Sequence, residues 1–153
     1  MYSSFRPCDK NDIEFIVNCE AAVSHKYIHA WKRETHLAKI HDPTIMYFAG
    51  LDENNKIRSY SILRQSSENK IEWIRVAVEA PGKGFGKPFM MDILNYLSEL
   101  KQYKYVWLDV YEANQQARNV YNSLSFVETS ISPAPVNSPE SFGNLVILRR
   151  ELF

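Results

Sequence analysis

Cysteine is nearly absent: Cys8 and Cys19 are the only two in 153 residues. Two cysteines make no disulfide framework, and these lack metal-ligand spacing, which fits a reducing compartment. Net charge is absent too, because eighteen basic residues cancel eighteen acidic ones. That balance argues against broad electrostatic binding of nucleic acid. No apolar run reaches the ~18 residues a membrane-spanning helix needs, and the N-terminus has no signal-like apolar region. A soluble cytoplasmic protein is the expectation. With no repeat and no internal boundary, residues 1–153 read as one domain large enough for a sizeable core. Glycine is also scarce, and its placement is informative. Of five glycines, Gly82, Gly84 and Gly86 sit almost side by side.

These glycines join two elements. Residues 71–78 are rich in β-branched and aromatic side chains and read as a strand. Phe89, Met90, Ile93, Leu94 and Leu97 recur at helical spacing and bury one face of a helix. A glycine turn before a helix lets backbone amides approach a ligand, while the helix aims its free N–H groups and positive dipole end at the same spot. That combination predicts a phosphate socket. It is not the dinucleotide fingerprint, because Lys87 and Pro88 follow Gly86 and no third glycine arrives. Nor is it the nucleotide P-loop: Pro81 stands at its first glycine and Pro88 at its Ser or Thr.

In chain order, residues 2–6 read as a short strand. Asp9 or Asn11 caps a helix that buries Ile13, Ile16 and Val17. Ser24 is expected to cap a second helix, carrying Ile28, Trp31, Leu37 and Ile40 and stopped by Pro43. His25, His29 and His36 fall near one face of that helix. No carboxylate or Cys accompanies them at metal-site spacing, so no metal is assigned. Residues 45–50, 57–65 and 71–78 form an antiparallel meander around polar turns. Residues 105–110 are a strand interrupted by Asp109, which is assigned to structure. A helix over 115–124 follows, then an exposed proline-containing loop over 131–143 and a last strand over 145–148. The order of strands and helices predicts a mixed α/β sheet with helices on both faces.

Two segments carry a family resemblance. Glu72, Arg75, Gly82, Lys83, Gly84, Phe85, Gly86 and Lys87 fit an E-x-x-R strand followed by a G-K-G-aromatic-G-K/R turn. Asn114, Ala117, Tyr121 and Phe126 fit an Asn-x-x-Ala strand end with a Tyr four residues later and a Gly-Phe, with Ser125 in the place of the glycine. In this order and separation they resemble the GNAT acyl-CoA N-acyltransferase superfamily, and more closely its RimJ/RimL-like N-acetyltransferase branch. The resemblance implies the GNAT fold: a central, mostly antiparallel sheet with one splayed parallel strand pair and helices on both faces. It implies acetyl-CoA as co-substrate, with its pantetheine arm along Val76, Ala77 and Val78, near which a bulge in the strand is expected. The pyrophosphate would meet the amides of Gly82, Lys83, Gly84, Phe85, Gly86 and Lys87, and Asn114 would also touch the coenzyme. Pro81 replaces the usual Arg or Gln, which weakens that contact. It implies direct attack by a primary amine, from a protein N-terminus or a small molecule, with Tyr121 as acid and Glu72 as base. Glu20 and His36 are assigned to the acceptor wall and rival Glu72. A homodimer stays open. The alternative reading is a catalytically weak acyl-CoA-binding or regulatory module, prompted by Pro81 and Ser125.

Overall fold

The computed structural model describes residues 1–22 and 25–153. Strands β1 (Tyr2–Pro7), β2 (Ile45–Asp52), β3 (Ile57–Ser67), β4 (Lys70–Val78), β5 (Tyr105–Tyr111), β6 (Val127–Ser132) and β7 (Leu145–Glu151) form one sheet. Its order is β1-β2-β3-β4-β5-β7-β6. Neighbours run antiparallel except β4 and β5, which are parallel. Helix α1 (Ile13–Glu20) and helix α2 (Arg33–Lys39) pack on one face. Helix α3 (Gly86–Leu100) and helix α4 (Gln115–Ser123) pack on the other.

Each face has its own core. On the α3 side, Phe89, Met90, Ile93, Leu94 and Leu97 meet Ile71, Trp73, Val106, Leu108 and Leu148, and all are buried. Full burial of such side chains is worth roughly 1.5–3 kcal/mol each. On the α1 side, Ile13 and Ile16 meet Ile45, Tyr47, Tyr60, Ile62 and Ala77. A capping box sets the start of this segment: the Asp9 side chain accepts from the turn's backbone, while Asp12 accepts from the Asp9 amide at 2.9 Å.

Three expectations change. The second helix is confined to α2, and Ser24, its expected cap, lies outside the described residues. Residues 28–32 instead leave helical geometry because their groups bond to both arms of the sheet, as described below. Strand β6 falls partly where a loop is expected. It is exposed almost throughout, so it lacks the inward–outward alternation that marks a strand, and its ladder with β7 holds it. Finally, a bulge in β4 is expected near residues 76–78, but the extra residue is Ile74. Ile62 pairs with Arg75 and Leu63 with Trp73, whereas Val76, Ala77 and Val78 pair regularly with β3. Ile74 and Arg75 therefore face the same side, and Val76 returns to the α3 side.

Candidate active site

The parallel pair is short. Lys70, Ile71 and Glu72 pair with Tyr105, Val106 and Trp107, and then β4 and β5 separate. Backbone groups beyond Glu72 and Trp107 consequently lack each other as partners. The separation opens a cavity of about 360 Å³. Val76, Ala77 and Val78 line one side of it, and Gly82, Gly84, Phe85, Gly86 and Lys87 line one end. Asn114, Ala117, Val120 and Tyr121 line the α4 side. Of the sequence-predicted site residues, Lys83, Glu72, Glu20 and His36 are not part of this lining.

The glycine turn needs glycine at two of its positions. Gly82 and Gly84 adopt left-handed φ values of 82° and 75°, where a Cβ is strained. A Cβ on Gly84 would meet nothing within 4 Å, while one on Gly86 would sit 3.3 Å from Val78. No side chain caps α3, so the amides of its first turn have no side-chain acceptor. Pro88 falls within that first turn, where its missing N–H costs no helical hydrogen bond. Phe85 anchors the turn edge-on against Tyr2, with ring centres 5.3 Å apart, and Tyr2 donates to Asp92 at 2.6 Å. The turn is thus held from below by packing.

Asn114 caps α4, its side chain accepting from the Ala117 amide at 3.3 Å, and it faces the cavity as well. Two turns further on, Tyr121 projects into the same space. Burial, and then the negative charge of Asp109, push its phenol up to about 12. The hydroxyl bonds to no other described residue. A protonated phenol facing a cavity is a proton donor in waiting.

Asp109 is the residue that the sequence reading set aside. Leu108 and Val110 point into the α3 core, so Asp109 points through the splayed pair to the opposite face. Glu72 does the same between Ile71 and Trp73. Asp109 is exposed and lies outside the cavity lining, yet surrounding protein and then the Glu72 charge hold its carboxyl above the usual range. It bonds to no other described residue. Glu72, by contrast, is largely covered and accepts from Arg64 on β3. The only sequence signal for Asp109 is a charge in an apolar strand, which periodicity alone cannot assign to a cleft.

Glu20 and His36 lie together, but in the interior on the α1 side. Glu20 accepts from the Trp31 amide at 3.0 Å, His36 at 2.8 Å, Tyr60 at 2.7 Å and Arg75 at 2.5 Å. The other His36 nitrogen meets the Tyr47 hydroxyl at 2.8 Å. Burial by itself would raise the Glu20 carboxyl. The His36 hydrogen bond and the Arg75 charge overcome that and bring it down to about 2. His25 meets the Val78 carbonyl at 2.8 Å and His29 meets the Tyr111 hydroxyl at 2.7 Å, so the three histidines make separate contacts. Among the described residues no group of three His, Cys, Asp or Glu side chains is arranged for a metal.

Comparison with known proteins decides the family. The profile of the acetyltransferase (GNAT) family matches residues 11–126. The chain belongs to the GNAT family. No curated protein sequence matches. Solved structures share the fold: a spermidine N-acetyltransferase chimera from Vibrio cholerae and hSSAT superposes with a TM-score of 0.85 at 17% identity, covering 97% of this chain and 95% of that one. Spermidine N-acetyltransferase from Vibrio cholerae in complex with CoA and spermine gives 0.83 at 18% identity, covering 97% and 95%. The ribosomal-protein-S18-alanine N-acetyltransferase from Escherichia coli gives 0.81 at 15% identity, covering 99% and 94%. Among the described residues no helix of this GNAT acetyltransferase is long and apolar enough to cross a membrane. Its departure at Ser125 has a visible cost: the residue takes a left-handed φ of 69°, the conformation a glycine adopts freely.

Proposed function

We propose that this chain transfers the acetyl group of acetyl-CoA to a primary amine by direct attack in a ternary complex. The observation that carries the reading is one cleft lined by a glycine turn at an uncapped helix start and by a protonated Tyr121, with Asp109, outside that lining, near enough for its charge to raise the phenol. The GNAT membership supports acetyl-CoA as the co-substrate, which supplies an activated thioester.

The two faces divide the work. Gly82–Lys87 and the first turn of α3 bind the pyrophosphate through backbone amides. Free backbone of β4 beyond Glu72 takes the pantetheine arm like an added strand. Asn114 borders that arm while capping α4. Tyr121, coming from the α4 side, donates its proton to the departing sulfur and recovers one from water. The acceptor enters from the face where Asp109 and Glu72 point. Glu72, steadied by Arg64, adds negative field that draws in an ammonium. Asp109 accepts the proton that the ammonium must lose before its nitrogen attacks the carbonyl carbon. A raised carboxyl is a stronger base than an ordinary aspartate, which suits this step. Glu20 and His36 are left to hold the fold around the site.

The test is acetyl-CoA consumption across an amine panel that includes spermidine and peptides with N-terminal alanine. Turnover with at least one amine is expected, and Asp109→Asn should lower kcat/KM by ~10²-fold at neutral pH. Because Asp109 must be ionised, the wild-type rate should fall as pH drops through its raised pKa, and the variant should lose that limb. Coenzyme binding without turnover on any amine would favour the non-catalytic binding module.

A further inference from the structure

Residues 27–31 run across the gap between the separated strands, on the face where Asp109 and Glu72 point. One end is tied to the β5 arm. The His29 ring meets the Tyr111 hydroxyl at 2.7 Å, and Tyr27 packs against Phe142 with ring centres 4.7 Å apart. The other end is tied to the β4 arm through Arg75. Arg75 donates to the His29 carbonyl at 2.8 Å and lays its guanidinium over the Trp31 ring at 4.2 Å. Its other terminal nitrogen donates to Glu20 at 2.5 Å, and Glu20 in turn accepts from the Trp31 amide.

Arg75 reaches this position only because of the bulge at Ile74. In an unbroken strand it would share a face with Trp73 and point into the α3 core. The irregularity that flanks the cleft also aims the guanidinium at the strap. We infer that Arg75 is a positioning residue for the acceptor side: it fixes the 27–31 strap over the cleft and so sets how an amine is received. This rests on the proposed acetyl transfer. A planar fork serves three partners at once, whereas the ammonium of a lysine is a point charge that keeps the Glu20 pair and gives up the geometry of the other two. Tyr27 and Ile28 border the same cavity as the glycine turn and Tyr121, but Arg75 contacts neither of these, so coenzyme binding should respond far less than acceptor binding.

The experiment compares wild type, Arg75→Lys and Tyr111→Phe, which removes the hydroxyl that meets His29 and, at 2.9 Å, Ser138. Arg58→Lys, in an exposed ion pair with Asp52 and Glu79, serves as control. Spermidine and an alanine-terminated peptide are the acceptor probes. Arg75→Lys should raise the acceptor KM ~10-fold, with the acetyl-CoA KM and the saturated kcat within about twofold of wild type. Tyr111→Phe should shift the same constant in the same direction, by less, and Arg58→Lys should shift none. Equal acceptor KM in an active wild type and both strap variants overturns the inference alone, as does a loss of Tm without the KM split. A wild type that transfers acetyl to neither probe overturns the proposed function and this inference with it.

Discussion

At the scale of the residue, the phenol of Tyr121 separates chemistry from packing. It lies partly buried among apolar neighbours, so its ring has a structural role in either case. Its hydroxyl has none, since it meets no other described residue. Tyr121→Phe should therefore leave thermal stability and coenzyme affinity nearly unchanged while lowering kcat by ~10²-fold, the range a general acid supplies. Steady-state kinetics beside a melting curve check this; full kcat with a lower Tm would make Tyr121 a core residue. Glu20 is the opposite case, a carboxylate whose partners are all structural. Removing it by Glu20→Ala leaves Arg75 covered and unpaired and should cost ~3–5 kcal/mol in denaturant unfolding. The sign of its pH dependence follows. Its pKa is depressed to about 2 from an ordinary 4.5. Its contribution is thus present above the unfolded value and lost as pH falls from about 4.5 toward 2. Wild type should lose more stability across that interval than Glu20→Gln.

At the scale of the element, Ser125 ends α4 in a conformation that suits glycine. A non-glycine residue there costs roughly 1–2 kcal/mol, part of which returns as lower chain entropy in the unfolded state. Ser125→Gly should raise stability by about 1 kcal/mol with unchanged kcat, read as an upward shift in Tm. Elements were legible where one local signal dominated. The α3 stripe of Phe89, Met90, Ile93, Leu94 and Leu97 and the turn at Gly82–Gly86 both carry their meaning within a few residues. β6 was not, because Val127 and Ile131 stay exposed and no face had to be apolar. The bulge at Ile74 was misplaced because the pattern of β4 does not say which residue its partner strand skips. Nor could the helix around residues 28–32 be ruled out from sequence, since what breaks it is Arg75, forty-six positions away from His29.

At the scale of the molecule, the cleft is a consequence of topology. A sheet that pairs β4 with β5 for three residues and then lets them part leaves backbone groups open near its centre, with α3 and α4 on one face and α1 and α2 on the other. The GNAT resemblance of the two signatures made this plan readable, and the family match and shared fold bear it out. The role proposed for Asp109 could not be read from sequence, because its surroundings depend on where β5 leaves β4, a property of the sheet rather than of the strand. The central claim is that this cleft takes acetyl-CoA at the glycine turn. Gly86→Asp puts a Cβ against Val78 and a negative charge where the pyrophosphate belongs. Titration calorimetry with acetyl-CoA tests it directly. Saturable binding to wild type and at least ~10²-fold weaker binding to a folded Gly86→Asp variant is the predicted result; equal affinity in the two proteins would contradict the account.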